Sequence, residues 1–303
     1  MITVLGSINI DLTTVANEIP RIGETMIGLS FNRYPGGKGA NQAVCAAKLN
    51  TNVMFLGKVG NDDYGSFMLG EMENNGVNVS RIERCETSTG IAAISVDIKG
   101  QNSIIVVPGA NFNVDCAYID KNKDVIKNCD LICAQHETPI EATEYAFDMA
   151  KSYDKTTILN PAPAANITKQ LLSLADILVP NEHELSRIAG TSCNTPEEVS
   201  EAAHVLMDQG AKTIIVTMGK EGVMLFSQDT EQIFPAFKVR AIDTTAAGDS
   251  FVGGFAAMFS KTRDLNRSID YGQKVASYSI QHEGAQSSMP TYEQFEVYLR
   301  NLR

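Results

Sequence analysis

The chain has 303 residues, 44% of them hydrophobic, enough to bury a large core, and carries a formal net charge of -11. So acidic a balance argues against broad binding to nucleic acid or to an anionic membrane, although a local pocket can still take a phosphate. No stretch approaches the roughly 18 consecutive apolar residues of a membrane span, and the six cysteines (Cys45, Cys85, Cys116, Cys129, Cys133, Cys193) lack CxxC or Cys/His spacing, so neither a disulfide framework nor a zinc site is expected.

Residues 1–6 read as a strand with no basic leader or cleavage site, so a cytoplasmic protein is expected. Asn9 and Asp11 follow at the carboxyl end of that strand, where open α/β sheets bind ligands, and their spacing puts both side chains on one face of an extended segment. A carboxylate and an amide there would suit the hydroxyls of a polyol, while a turn or cap is the plainer alternative. Residues 27–32 alternate apolar with small or polar, and 91–98 and 103–107 flank the turn 99–102 as a hairpin. None is followed by the helix that a parallel sheet needs, so these segments are expected to form a small antiparallel lid, with strands from about 10–35 and 90–110. A lid with one apolar face covers an active-site mouth or the same sheet of a second subunit, hence an expected homodimer; extension of the main sheet is the alternative.

Between these segments, Pro35-Gly-Gly-Lys-Gly-Ala-Asn-Gln42 enters a helix through three glycines. A P-loop would need Gly at 32 and Ser or Thr at 39, where this chain has Asn32 and Gly39, and no GxGxxG follows the first strand. What remains is a glycine turn whose N–H groups, with Asn41, suit sugar hydroxyls, or a simple helix entry.

Farther on, apolar runs at 53–59, 131–134, 157–159, 177–179 and 213–216 alternate with amphipathic stretches, an α/β signature, and no linker divides residues 1–303. Glu137, after the second run, is another candidate hydroxyl acceptor. Asn181 and Glu184, after the fourth, stand at i and i+3, as outer ligands of magnesium and phosphate or as a capping-box variant. Thr195-Pro-Glu-Glu198 is a capping box with Pro at the first helical position, opening a helix that ends near Gly210. Thr217-Met-Gly219-Lys-Glu-Gly222 is a glycine turn that touches a nucleotide or reverses the chain.

The segment 241–254 carries most. It puts Asp249 in the first turn of a helix behind small residues, an arrangement suited to phosphoryl transfer to an alcohol. The unpaired amides from Ala246 to Asp249 would hold the phosphate while Asp249 receives the hydroxyl proton, and Gly248 would let the backbone come close. A first-turn acid on a tightly packed Ala/Gly helix is the plainer alternative.

Together these motifs resemble the ribokinase family of sugar kinases, the group named for phosphofructokinase B, over essentially the whole chain. Residues 36–42 are similar to its N-terminal signature and 243–251 to its C-terminal one, in the expected order; Asn160-Pro-Ala-Pro-Ala164 also fits. The resemblance implies a single domain built as a three-layer α/β sandwich, with a mostly parallel central sheet and a small antiparallel β-sheet lid that clasps a second subunit. It implies Mg-ATP as phosphate donor, Asp249 as base and the amides of Ala246, Ala247 and Gly248 as the anion hole. Asn9, Asp11, Gly37, Lys38, Asn41, Glu137 and Asp249 would hold the sugar, D-ribose through its 5-hydroxyl. Thr217, Gly219 and Gly222, with Asn181 and Glu184, would serve the nucleotide, Glu184 facing Mg2+ through water. Asp243, Thr245, Ser279, Gly284 and Ser288 correspond to a K+ site. A kinase for 2-deoxyribose, another sugar or a nucleoside, and a non-catalytic sugar-binding regulator, remain alternatives.

Overall fold

The computed structural model describes residues 1–302. The main sheet has nine strands, in the order Thr230–Phe234, Val223–Ser227, Thr213–Thr217, Ile177–Leu178, Thr156–Asn160, Leu131–Gln135, Ile2–Leu5, Val53–Leu56 and Val77–Asn78. From Thr213–Thr217 onward all neighbours run parallel, and at the other side the glycine turn 217–222 reverses the chain into the hairpin Val223–Phe234, which adds an antiparallel edge. The central strands are apolar at almost every position because helices cover both faces. Ile2, Val4 and Ile158 face one core with Val44, Phe251 and Phe255, while Leu5, Leu159 and Leu178 face another with Phe147, Leu171 and Leu185. Each such side chain contributes about 1.5–3 kcal/mol on burial.

The run 53–59 breaks at Gly57, and its second half, Lys58–Gly60, leaves the main sheet to pair with Glu83–Cys85. Helix Pro196–Asp208 opens as expected, Thr195 accepting from the Glu198 amide at 3.2 Å. The box is not reciprocal, however, for the Glu198 carboxylate takes the Asn194 amide at 2.7 Å. All six cysteines are free thiols. Among the described residues no helix is long and apolar enough to cross a membrane.

A second sheet has the order Ser30–Gly36, Asn9–Ala16, Gly90–Asp97, Asn102–Val107. Its outer pairs are antiparallel, but Asn9–Ala16 and Gly90–Asp97 run parallel at the centre. The chain crosses the main body between these two strands and leaves it twice at the same end, so they point the same way. Residues 27–29 lie outside the strand that starts at Ser30, and every residue of Asn102–Val107 is exposed.

Helix Ala247–Thr262 packs on Lys38–Lys48 and Leu265–Ser279. A Cβ on Gly253 would lie 2.6 Å from Cys45 Cβ and 2.8 Å from the Gln42 carbonyl oxygen. Only glycine permits a crossing that close, and the crossing brings Asn41 and Gln42 beneath Asp249.

Candidate active site

The Asp249 helix starts without a side-chain cap, and its N-cap residue, Ala246, is left-handed at φ 55. That conformation costs a non-glycine residue about 1–2 kcal/mol, so the strain at this turn sits on Ala246. Gly248 needs no special backbone; a Cβ there would meet open space. The Ala247 amide donates to the Thr244 carbonyl at 3.2 Å and that of Ser250 closes on Ala246 at 2.8 Å, whereas those of Ala246, Gly248 and Asp249 have no acceptor among the described residues. Three free amides and the positive end of the helix thus remain for an anion.

The Asp249 carboxylate is buried and has both oxygens engaged: Asn41 Nδ2 donates to Oδ2 at 3.0 Å and Gln42 Nε2 to Oδ1 at 3.1 Å. Asn41 Oδ1 accepts from Gln286 Nε2 at 3.0 Å, and Gln42 Oε1 from Gln135 Nε2 at 2.7 Å. Four carboxylates surround Lys38. Burial disfavours its charge, but Asp249, Glu137, Glu184 and Asp11 outweigh that and hold the ammonium above its ordinary pKa. Asp11 is pushed up to about 7, first by burial, then by Glu137 and Asp249, with Lys38 pulling the other way.

The glycine turn spends most of its amides inside the protein. Lys38 N donates to Glu137 Oε2 at 3.1 Å, Gly39 N to Ser7 Oγ at 3.2 Å and Ala40 N to the Ser7 carbonyl at 2.9 Å, while the Ser7 hydroxyl also donates to Glu137. Gly37, at φ 89, presses so closely on the next strand that a Cβ would lie 2.7 Å from Asn9 N. The turn therefore offers a ligand the Lys38 side chain rather than a row of free amides. Asn9 is oriented by a residue the sequence did not single out: Asn111 Nδ2 donates to Asn9 Oδ1 at 2.7 Å while Asn111 Oδ1 accepts from Ile8 N at 2.8 Å. The Asn9 NH2 is thereby left to read a hydroxyl. Asn111, Gln42, Gln135 and Gln286 had no local signature; only Gln42 lay inside a motif.

A cavity of about 190 Å³ lies between Lys38, Asn160, Asn181, Glu184, Gly248 and Asp249. It continues into a larger one, about 940 Å³, walled by Thr217, Gly219, Gly222, Phe237, Val239 and Gln273 and sharing Asn181, Thr217 and Gly248 with the first. Asn181 and Glu184 form a reciprocal capping box at 2.8 and 2.9 Å and line the smaller cavity too, so cap and site coexist. Burial holds Glu184 above the ordinary carboxylate range; Asp249 adds to that, while the Asn181 amide and Lys38 oppose it. Gln273 Nε2 is occupied by the Phe234 carbonyl at 3.1 Å.

Glu184 puts one carboxylate on the wall of the smaller cavity, beside the helix start, a donor that fits a divalent ion carried by phosphates and water. At the other candidate site, Asp243 Oδ1 accepts from Thr245 N at 2.9 Å and Oγ1 at 2.7 Å, and Oδ2 from Gly284 N at 2.8 Å. Burial works against that charge, but these bonds prevail and lower its pKa. Ser279 and Ser288 hydroxyls pair at 2.6 Å, and the Ile280 carbonyl receives the Ile242 and Asp243 amides at 2.7 and 3.2 Å, tying the two groups together. The protein's own donors thus take up the Asp243 carboxylate and the Ile280 carbonyl, and the five residues are brought together as one hydrogen-bonded cluster.

The family model for pfkB family carbohydrate kinases matches residues 1–292. The chain is 38% identical over 296 residues to a ribokinase of Staphylococcus aureus, covering 97% of each chain, and 39% identical over 300 residues to a deoxyribokinase of Salmonella typhi, covering 98% of each. Among solved structures, Arabidopsis thaliana ribokinase complexed with ribose and ATP superposes with a TM-score of 0.94 at 30% identity, over 99% of this chain and 98% of that one.

Proposed function

The chain belongs to the pfkB family of carbohydrate kinases, and from that premise we propose that it transfers the γ-phosphoryl group of ATP to the 5-hydroxyl of D-ribose, with Asp249 as the base. The observation that carries this is the placement of Asp249, a buried carboxylate with two positioned amide donors at a helix start whose Gly248 and Asp249 amides are free. Asn9, Asp11, Lys38, Asn41 and Glu137 hold and orient the sugar, so that its hydroxyl meets the phosphorus in line. The free amides and Lys38 take up charge on the transferring group, and Asp249 receives the proton as the new bond forms. Thr217, Gly219, Gly222 and Asn181 position the nucleotide along the joined cavities. Mg2+ supplies charge neutralisation at the phosphates when bound, with Glu184 on its water shell. Asp243, Thr245, Ser279, Gly284 and Ser288 hold a K+ ion behind the anion site.

The exposed apolar residues of the small sheet, among them Phe31, Ile104 and Ile105, pack on the same sheet of a second subunit, making the sheet both lid and dimer clasp.

A deoxyribokinase as similar as the ribokinases favours 2-deoxyribose as the second reading. ADP release from Mg-ATP, measured over ribose, 2-deoxyribose, fructose, adenosine and no acceptor, with K+ and then Na+, separates them. Ribose ahead by about tenfold in kcat/KM, roughly 1.4 kcal/mol of transition-state binding, supports ribokinase activity. A lead for another acceptor overturns the sugar assignment, and sugar binding without turnover replaces the kinase by a regulator.

A further inference from the structure

We propose that Gln42 and Gln286 are positioning residues that fix the orientation of the Asp249 carboxylate, a role that rests on Asp249 being the base. Neither needs to touch the reacting atoms. A primary amide has a donor end and an acceptor end, and it aids a carboxylate only when the NH2 faces it; turned over, it sets oxygen against oxygen. Asn41 and Gln42 both present NH2 groups to Asp249, one to each oxygen. Each is held that way round by a second amide behind it. Gln286 Nε2 donates to Asn41 Oδ1 at 3.0 Å, so Asn41 cannot reverse without losing that bond along with the one to Asp249. Gln135 Nε2 donates to Gln42 Oε1 at 2.7 Å and does the same for Gln42.

The outer members are held through their backbone segments, while the buried Gln135 Oε1 and Gln286 Oε1 have no partner. Gln286 belongs to a segment whose carbonyl oxygens, its own at 3.0 Å and that of Met289 at 2.6 Å, accept from Lys48 Nζ. Gln135 ends the central strand Leu131–Gln135. Gln42 Nε2 also donates to Asn160 Oδ1 at 3.0 Å, at the end of the next strand. All of the amide side chains are buried, so water does not substitute for a missing one. Rotation of the carboxylate plane breaks two bonds at once, and the base keeps one face toward the acceptor through the catalytic cycle.

The test uses Gln42→Met and Gln286→Met, which keep side-chain length and remove the donors. With ribose and Mg-ATP, each is expected to lower kcat about tenfold while the ribose KM stays within about threefold, since orientation of the base matters in the transition state and little in the ground state. Combined with Asp249→Ala, neither should lower the residual rate further, because residues that act through one group are not additive. Parent-like kcat in both variants, or the same tenfold loss in the Asp249→Ala background, overturns the proposal, and so does a fall in Tm with kcat unchanged. If Gln42→Met does not fold, Gln286→Met decides alone, since its side chain makes no bond to Asp249. A near-normal kcat in Asp249→Ala itself removes the base assignment instead, an outcome distinct from a crippled Asp249→Ala beside parent-like methionine variants.

Discussion

The surroundings of Asp249 and the outer strand of the small sheet are opposites. Around Asp249 each polar partner is a buried amide whose donor end is set by another amide, and the helices cross at Gly253 with no side chain between them. Along Asn102–Val107 every residue is exposed, and Ile105 is 68% so. The first region is completed by the chain itself up to its outer amides, where Gln135 Oε1 and Gln286 Oε1 are buried without a partner; the second has its apolar surface left over. Groups that must keep their geometry through a reaction are satisfied internally, where the low dielectric strengthens each bond, whereas unfilled apolar area marks a surface that meets something else.

The contrast breaks most severely at its buried end. Asp249→Ala is expected to lower kcat by about 10² to 10⁴, with ribose affinity by calorimetry nearly unchanged; a normal kcat would take Asp249 out of the chemistry. At the open end, Ile105→Asp puts a charge in the apolar face and should weaken self-association about a hundredfold or more in sedimentation, with the circular dichroism of the folded protein kept. A parent that sediments as a monomer removes the clasp from that sheet.

Asp11 joins the two regions, and its protonation sharpens the comparison. Free Asp11 titrates at about 7, and accepting sugar hydroxyls favours its ionised form, so ribose affinity should fall about tenfold from pH 8 to pH 6, a dependence that Asp11→Asn flattens. The effect on stability has the opposite sense. The folded-state pKa lies above the ordinary 3.8, so the contribution of Asp11 is fully present below about pH 4 and is lost as pH rises through about 7. The ligand-free Asp11→Asn variant should therefore melt about 2–4 °C higher than the parent at pH 8, the response to roughly 1 kcal/mol. The smallest effect belongs to Ala246→Gly, which relieves the left-handed N-cap and should raise stability by about 0.5–1 kcal/mol in urea unfolding. No gain there would mean that the turn is held without strain.

Much of this was legible from local pattern. Strands covered on both faces are continuous apolar runs, which is why 131–134 and 213–216 stand out, and the two motifs around Lys38 and Asp249 are contiguous in sequence. What had no local pattern escaped. The glycine turn 217–222 does reverse the chain, one of its two readings, but the edge strand Thr230–Phe234 beyond it has no such marker. The parallel centre of the lid depends on the path of the chain through the main body between residues 16 and 90. Asn111, Gln135 and Gln286 act on partners more than ninety residues away, and a polar residue that orients another leaves no periodicity behind. At Asn181 and Glu184 the cap and the cavity lining coexist, since the capping box holds Glu184 at the cavity.

Asn9 and Asp11 do not stand on the main body; they open the strand Asn9–Ala16, in full register with Gly90–Asp97. Glu137 and Asp249 belong to the main body, and Lys38 opens the helix that follows the lid strand Ser30–Gly36. On the proposed reading a single sugar would bridge the small sheet and the main body, so a cover tilted away would withdraw half of its partners, and selection of the acceptor and exclusion of water would be one mechanical event.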